Sequence, residues 1–379
     1  PAIDLGAAGT RSRTPADLSV TGRDKIGGNY RAGANLVSYE IDFWGRVKSL
    51  NEAALNQFLA TDEARQAFEL GLVAQLANTY LLGRELDERI VLAQKALVTR
   101  EESFRIMARR AAVGSSSDLE LRQVESLLLN TRGELAALER QRAQNDALLA
   151  QLTGHAPAPE APPAPLAEQG LEGALPPGLP AELLTRRPDL RAAEKRLAAS
   201  QASIRAARAA FLPNITLTGF GGSSSAELDG LFRGGASTWS FTPALRLPLF
   251  DGGRNRANLQ IAETARDTAL AQYDKAVQTA FREVADALAE RATLAERLQA
   301  QQSLQAATLK ALQLSQARYR LGADSYLPVL DAQRALYSAQ QTLIGLALAE
   351  QANRITLYKV LGGSWIDTPP GDSTATPGT

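Results

Sequence analysis

Two stretches 208 positions apart decide the fold of this chain: Tyr39-Glu40-Ile41-Asp42-Phe43-Trp44-Gly45-Arg46 and Leu247-Pro248-Leu249-Phe250-Asp251-Gly252-Gly253-Arg254. Each is a strand-like run that ends in Gly-Arg and leads into a long polar segment. The same offset aligns residues 31–154 with 239–362 and places Gly114 and Gly322 at the same break in both copies. Solenoid repeats are only about 20 to 50 residues long, so this spacing predicts a duplicated, domain-sized unit.

Composition excludes several classes of protein. The 379 residues include 41 basic and 41 acidic side chains, well mixed, which gives no indication of a nucleic-acid partner. Cysteine is absent and histidine occurs once, at His155, so neither a disulfide nor a metal centre is expected. The sequence contains no run of about 18 apolar residues, so no transmembrane helix is predicted. No nucleophile, base or phosphate-loop pattern is present, so we expect neither an enzyme nor a cofactor.

Long helices are indicated by the distribution of proline. None occurs between Pro15 and Pro157 or between Pro248 and Pro328. We expect a helical hairpin at 46–153 and another at 254–361, each broken once at its glycine, and a separate helix at 181–211. A helix over 254–321 would be about 100 Å long at about 1.5 Å per residue. Its coiled-coil type seam would be Val277, Phe281, Val284, Leu288, Ala292, Ala295 and Leu298.

Strand candidates precede each hairpin, at about 1–8, 30–43 and within 213–250, with a polar loop at about 8–29 and a Gly- and Ser-rich mobile loop at 221–237. Period-2 alternation is clearest after 238, over about the length of a tilted membrane strand. We expect one face to meet lipid: Trp239, Phe241, Leu245, Leu247 and Leu249. The other face would line a lumen: Ser240, Thr242, Ala244 and Arg246. The interior of an ordinary sheet is the alternative.

The predicted organisation has four parts. Residues 1–154 form a first structural repeat, 155–180 a Pro-rich linker, 181–362 a second repeat, and 363–379 a disordered tail. The first repeat has no counterpart of the helix at 181–211. We therefore expect that the natural protein has a further N-terminal helix, and that a lipid-bearing cysteine, if present, belongs to that segment.

Three motifs make the chain resemble the TolC-like outer-membrane factors. They are the stretch at 39–46, Arg187-Pro188-Asp189-Leu190-Arg191-Ala192-Ala193-Glu194, and the segment 318–334 that begins Arg318-Tyr319-Arg320-Leu321-Gly322. The resemblance implies a mainly α fold with a β-barrel part: a homotrimer whose chains each give four strands to one 12-stranded barrel and long helical hairpins to an α-barrel tunnel. Closure would remove the open strand edges that a bilayer does not tolerate.

The resemblance also implies a periplasmic gate. Leu327, Asp331 and Arg334 lie on one helical face and would line the narrowing of the tunnel, with Tyr319 and Asp324 as weaker candidates. Symmetry would bring three Asp331 carboxylates near one axis. Pro328 stands where some members carry a second acid, which puts a gate of two carboxylate rings in doubt. An exposed ion pair between Asp331 and Arg334 is the alternative for these two residues.

The function implied is that of an exit duct in the Gram-negative outer membrane that extends into the periplasm. It would passively conduct drugs or other small molecules. Its partners would be outer-membrane lipid, a periplasmic adaptor and an inner-membrane transporter, in the drug-efflux branch a proton-driven one. Type I protein secretion and metal efflux are alternatives within the family. A periplasmic coiled-coil adaptor is the alternative from another class, although an adaptor would show one hairpin between β-domains.

Overall fold

The computed structural model describes residues 2–20, 22–155, 165–168 and 185–363. Most of the predicted linker at 155–180 and nearly all of the predicted tail at 363–379 lie outside the described residues. The chain divides into two units, the first formed by Pro1–Asp62 with Ala192–Asp274 and the second by Glu63–Arg191 with Lys275–Thr379.

Long helices make up most of the described chain: α1 (Arg46–Ala112), α2 (Asp118–Thr153), α3 (Pro188–Ala209), α4 (Arg254–Arg320) and α5 (Leu327–Val360). Both α1 and α4 have 67 residues, and their first residues are 208 positions apart. None of the helices in the described ranges combines the length and the apolar character needed to cross a membrane.

Acidic side chains fix the starts of α1 and α4. The Asp42 carboxylate accepts hydrogen bonds from the backbone N–H groups of Val47 at 3.0 Å and Lys48 at 2.7 Å. Asp251 accepts from Gly253 at 3.0 Å and Asn255 at 2.9 Å. Because the first N–H groups of a helix have no partner within it, these carboxylates satisfy them and favour the helix start.

The first unit contains one antiparallel sheet. Its strands are β1 (Ile3–Thr14), β2 (Lys25–Ile41), β3 (Asn214–Ser225) and β4 (Ser237–Arg246), and they are adjacent in that order. The pairing of β2 with β3 shifts register between Leu36 and Tyr39, which marks a β-bulge. Among the described strands, β1 and β4 are each paired along one side only.

The strands extend farther from the helices than the sequence indicated, whereas β4 stops sooner at its helix end. The predicted polar loop at 8–29 is wrong, because β1 runs to Thr14, where it pairs with Lys25. The predicted loop at 221–237 is likewise too long, since β3 continues to Ser225. These extensions consist of Gly, Ser, Thr and Arg, whose backbones complete the ladder without any apolar alternation. Conversely, β4 ends at Arg246, because Pro248 offers no N–H and restricts the residue before it.

The second unit is a helical assembly. Met107 of α1, Val124 of α2 and Val329 and Leu330 of α5 form one buried cluster, with Tyr326 just before α5. Leu86 and Ala93 of α1 pack against Leu138 of α2 in a second cluster. In a third cluster, α5 contributes Leu357 and Val360 against Ala287 of α4. Each hairpin is thus held by its own apolar contacts, and the first cluster joins the two hairpins.

Two packing details differ from expectation. The buried residues of α4 are Ala280, Ala287 and Leu294, spaced by seven, whereas Phe281 and Leu288 of the predicted seam are exposed. Small side chains are the ones that allow close helix approach, so the larger neighbours remain outside this contact. Leu166, inside the predicted linker, is 1 % exposed and packs in the second unit against Ala74, Leu81 and Ile355.

Candidate functional site

The pairing of the strands gives the sheet one apolar face. Side chains directly opposite each other across a ladder point to the same side, and successive residues alternate. Trp239 and Phe241 therefore share a face with Leu5 and Leu36. The full set of larger apolar side chains on this face is Ile3, Leu5, Ile26, Tyr30, Leu36, Tyr39, Ile41, Ile215, Leu217, Trp239, Phe241, Pro243 and Leu245. Trp239 is 80 % and Leu5 87 % exposed in the single chain.

The opposite face is polar. Asp4, Asn35 and Ser240 occupy one row across the sheet, together with Phe220. Other members of this face are Thr10, Lys25, Asn29, Arg31, Glu40, Asn214, Thr216, Thr218, Thr242 and Arg246. The sheet therefore separates apolar from polar side chains along the part of the four strands nearest the helices, whereas Arg11 and Arg13, near the β1–β2 turn, lie on the same side as the apolar set.

The predicted strand residues divide accordingly. Ser240, Thr242 and Arg246 lie on the polar face, and Trp239, Phe241 and Leu245 lie on the apolar face. Leu247 and Leu249 were predicted to continue the apolar face, but both lie beyond the last residue of β4. The apolar contribution of β1 to β3 was not predicted. Its signal in the sequence is weak, because alanine and glycine interrupt the larger residues.

The junction between sheet and helices carries the motif at 39–46. Trp44 donates from Nε1 to the carbonyl oxygen of Pro213 at 2.8 Å, which ties the start of α1 to the start of β3. Arg46 donates from Nε to Glu40 Oε1 at 2.8 Å. The pKa of Asp42 is lowered, chiefly by the backbone hydrogen bond from Lys48, so this carboxylate stays ionised as the helix requires. The motif thus sets how β2 enters α1.

Equivalent glycines end α1 and α4. Gly114 and Gly322 both have a φ of +72°, in the left-handed region that favours glycine. Gly114 N–H donates to Ala111 O at 3.0 Å, and Gly322 N–H donates to Tyr319 O at 3.0 Å. In each copy the next residue donates to the carbonyl five positions back, which completes a Schellman motif.

The gate candidates at the start of α5 form an exposed group. Leu327 is the first residue of α5 and is 40 % exposed. One turn later, Arg334 Nη1 lies 3.0 Å from Asp331 Oδ1, and both side chains are largely accessible. Within one chain these two residues form the intrahelical ion pair that was the alternative expectation. Such a pair contributes only about 0 to 1 kcal/mol, so it leaves both groups available to other partners.

Tyr319 and Asp324 make different contacts. The hydroxyl of Tyr319 accepts a hydrogen bond from Arg110, whose guanidinium also lies 5.5 Å from the centre of the Tyr319 ring. Asp324 is bound through both oxygens by Arg318, and this hydrogen bonding lowers the pKa of Asp324. Neither residue contacts Asp331 or Arg334 in any described interaction, so the five predicted residues do not form one cluster.

Two residues of the turn region were missed from sequence. Tyr326 is 8 % exposed, and its hydroxyl lies 2.9 Å from Ser103 Oγ on α1. Its ring meets that of Tyr319 edge-on at 4.9 Å. Arg110 connects the end of α1 to Tyr319 near the end of α4. The 208-residue offset pairs Arg110 with Arg318, which is the signal that could have identified it.

Arg187, in the second quoted motif, joins three parts of the second unit. It is 7 % exposed and donates to Asp189, to Glu283 of α4 at 2.8 Å and to the carbonyl of Val360 at 3.2 Å. Burial alone would raise the pKa of Asp189, but the hydrogen bonds and charge of Arg187 outweigh it and the pKa is lowered. These hydrogen bonds give the Arg-Pro-Asp-Leu pattern a structural role, because they hold this segment to α4 and to the end of α5.

Comparison with known proteins agrees with this arrangement. The sequence matches the family described as outer membrane efflux protein over residues 1–155 and 179–363. It is 44 % identical over 366 residues to the outer membrane protein OprJ of Pseudomonas aeruginosa, covering 96 % of this chain and 76 % of OprJ. It is 43 % identical over 366 residues to the toluene efflux pump outer membrane protein TtgI of Pseudomonas putida, covering 96 % of this chain and 77 % of TtgI.

Solved structures show the same similarity. A crystal structure of a membrane protein from Pseudomonas aeruginosa superposes with a TM-score of 0.90 at 42 % identity, covering 96 % of this chain and 82 % of that one. The open state of the MtrE outer membrane channel of Neisseria gonorrhoeae gives 0.86 at 38 % identity, covering 96 % and 80 %. The chain therefore belongs to the outer membrane efflux protein family: it is an outer-membrane exit duct of an efflux pump and not an enzyme.

Proposed function

We propose that three copies of the chain, each built of two structural repeats, close into one 12-stranded barrel in the outer membrane. The observation that carries this proposal is the two-faced sheet with unpaired outer sides on β1 and β4. Lipid offers no hydrogen bonds to an open edge, so β4 of one copy pairs with β1 of the next. The apolar face then meets lipid and the polar face lines the passage.

The helices support the same assembly. Large apolar side chains remain exposed along α1 and α4 in the single chain: Phe58, Phe68, Val73, Val91, Val98, Phe281, Leu288 and Leu304. Exposed apolar surface of this extent marks a protein interface. In the proposed trimer, helices of neighbouring copies cover these side chains and form a periplasmic tunnel. Leu327, Asp331 and Arg334 lie at its narrow end, where contacts between copies hold the resting duct nearly closed.

Mass measurement tests the assembly. Full-length protein extracted in detergent should have the mass of three chains by native mass spectrometry. The same sample should run as one species on a sizing column and lose its β-structure only when the trimer dissociates. A stable, folded monomer would refute the proposal, because four strands would then persist with both outer sides open.

The proposed cargo is small molecules, delivered by a periplasmic adaptor and a proton-driven inner-membrane transporter. Relatives are named as toluene, solvent and antibiotic efflux pump proteins, which supports small-molecule cargo over protein secretion or metal efflux. Deletion of the gene should increase cellular accumulation of a lipophilic dye. Reintroduction of the wild-type gene should lower the accumulation again. Unchanged dye accumulation with loss of a secreted protein would favour the type I secretion alternative.

A further inference from the structure

One cation stands out in the middle of the polar face. Arg31 of β2 is exposed, and its guanidinium carbon lies 5.8 Å from the centre of the Phe220 ring on β3. This distance is within the range of a cation–π interaction. Phe220 is the one aromatic side chain of that largely polar face among the described strands. The aromatic ring therefore positions the charge without neutralising it.

Glycines explain how Arg31 reaches a residue on the neighbouring strand. Arg31 pairs with Ser224, while Phe220 pairs with Asn35, two rows away on the same face. The row between them is glycine on three adjacent strands: Gly6, Gly33 and Gly222. At Gly33 an added Cβ would lie 2.4 Å from the carbonyl oxygen of Gly221, so no side chain fits there. Arg31 can consequently lie flat across this row toward Phe220.

The other charged groups of the polar face are placed differently. Glu40, at the helix end of β2, is bound by Arg46. Asp4 lies on β1, on the side of β2 opposite to Phe220, and no ion pair within 4.0 Å joins it to Arg31 among the described residues. Lys25 and Arg246 are at the two ends of the sheet. The middle of this face thus carries one cation, Arg31, and one anion, Asp4, which are not joined in an ion pair.

A shallow depression surrounds this arrangement. Its volume is about 470 Å³, and its polar-face lining includes Asp4, Arg31, Asn35, Phe220 and Ser240. A solute moving along the polar face would therefore meet the Arg31 guanidinium directly. Threefold assembly would place three such cations at one level, where a wall of low dielectric strengthens their effect on ions.

We propose that Arg31, held over the ring of Phe220, shifts the ion preference of the strand-built part of the duct toward anions, against the opposing charge of Asp4. This inference rests on the proposed function, because it requires that the polar face line the passage. It adds a residue that determines which charged solutes pass most easily. Since the Debye length is about 10 Å at 0.1 M salt and about 3 Å at 1 M, the preference should be strongest in dilute salt.

The test is the reversal potential of full-length channels in planar bilayers under a KCl gradient. Arg31→Gln should lower the chloride-to-potassium permeability ratio relative to wild type, and more so in dilute salt. Arg31→Lys should keep the ratio near that of wild type. The matched control is Arg11→Gln, because Arg11 lies in the same sheet on the apolar face and should leave the ratio unchanged.

A second variant separates the inference about Arg31 from the proposed orientation of the sheet. In Ser240→Cys, a negatively charged thiol reagent should alter the current if the polar face lines the passage. An altered current there, with no change of the ratio in Arg31→Gln, would overturn the inference about Arg31 alone. No effect at either position would overturn the proposed orientation of the sheet, and the inference with it.

Discussion

The hydroxyl of Tyr326 lies 2.9 Å from Ser103 Oγ and joins the residue before α5 to α1, although the two are 223 positions apart. This bond runs between the two hairpins at the level of the gate candidates. Met107 and Leu330 pack around the same tyrosine. The start of α5 is therefore anchored on α1, while Leu327 and Asp331 remain on its accessible side.

Burial of two tyrosines predicts that the helical unit loses folding stability at alkaline pH. Burial raises the pKa of Tyr326, and it raises the pKa of Tyr337 to about 12. Below about pH 10 both phenols are neutral in the folded and the unfolded chain, so they add no pH dependence. Above this pH the unfolded chain ionises first, and stability falls until the folded pKa is reached.

Denaturant unfolding followed by far-ultraviolet circular dichroism at pH 8, 10 and 11 measures this effect. Tyr326→Phe and Tyr337→Phe should each reduce the loss of stability between pH 10 and 11. Tyr273→Phe is the control, since its hydroxyl makes no hydrogen bond among the described contacts. An equal alkaline loss in all four proteins would show that other groups cause it.

Two adjacent glycines of β3 should respond differently to alanine. At Gly222 an added Cβ would lie 2.2 Å from the carbonyl oxygen of Ala32, whereas at Gly221 nothing lies within 4 Å. Gly222→Ala must push β2 and β3 apart, so we expect little folded protein in the outer membrane. Gly221→Ala should accumulate like wild type. The measurement is the amount of heat-modifiable, folded species on a gel, and equal amounts for both variants would contradict the close approach of these strands.

The gate proposal predicts a leakier duct when its charged pair is removed. Asp331→Ala combined with Arg334→Ala should raise single-channel conductance in planar bilayers and sensitise cells to large antibiotics. Exposed pairs contribute only about 0 to 1 kcal/mol each, so contacts from a docking adaptor could also overcome three of them.

Asp118→Ala provides the control for the gate. Asp118 is an exposed acid at the equivalent break of the first hairpin, and it lies 3.6 Å from Arg122 in an intrahelical pair. Its removal should change conductance less. If the double variant is folded, trimeric and has wild-type conductance, the constriction lies elsewhere.

Sequence patterns were informative where the backbone needs a particular residue type. The Gly-Arg pattern predicts helix starts at 46 and 254, and α1 and α4 begin at Arg46 and Arg254. The ends of the strands could not be predicted, because Thr14 and Ser225 pair through their backbones alone. Contacts such as that of Tyr326 with Ser103 join distant segments, and no local periodicity indicates them.

The burial of Leu166 shows a further limit. Its neighbours in the sequence are rich in proline and predict a linker, yet its side chain fills a position between α1 and α5. Its N–H also donates to Glu88 at 2.8 Å. A tertiary contact of this kind depends on a space left by other segments, so it is not visible in local composition.

In the proposed assembly the polar face of the sheet lines the passage and the apolar face meets lipid. The chain has no cysteine, so single cysteines at Ser240, Thr242, Trp239 and Phe241 give a clean measurement in intact outer membranes. A membrane-impermeant charged thiol reagent should label Ser240→Cys and Thr242→Cys quickly and reduce their channel current. Trp239→Cys and Phe241→Cys should react slowly and keep their current. If the last two variants were labelled as fast as the first two, the apolar face would not be covered by lipid and the proposed orientation of the sheet would be wrong.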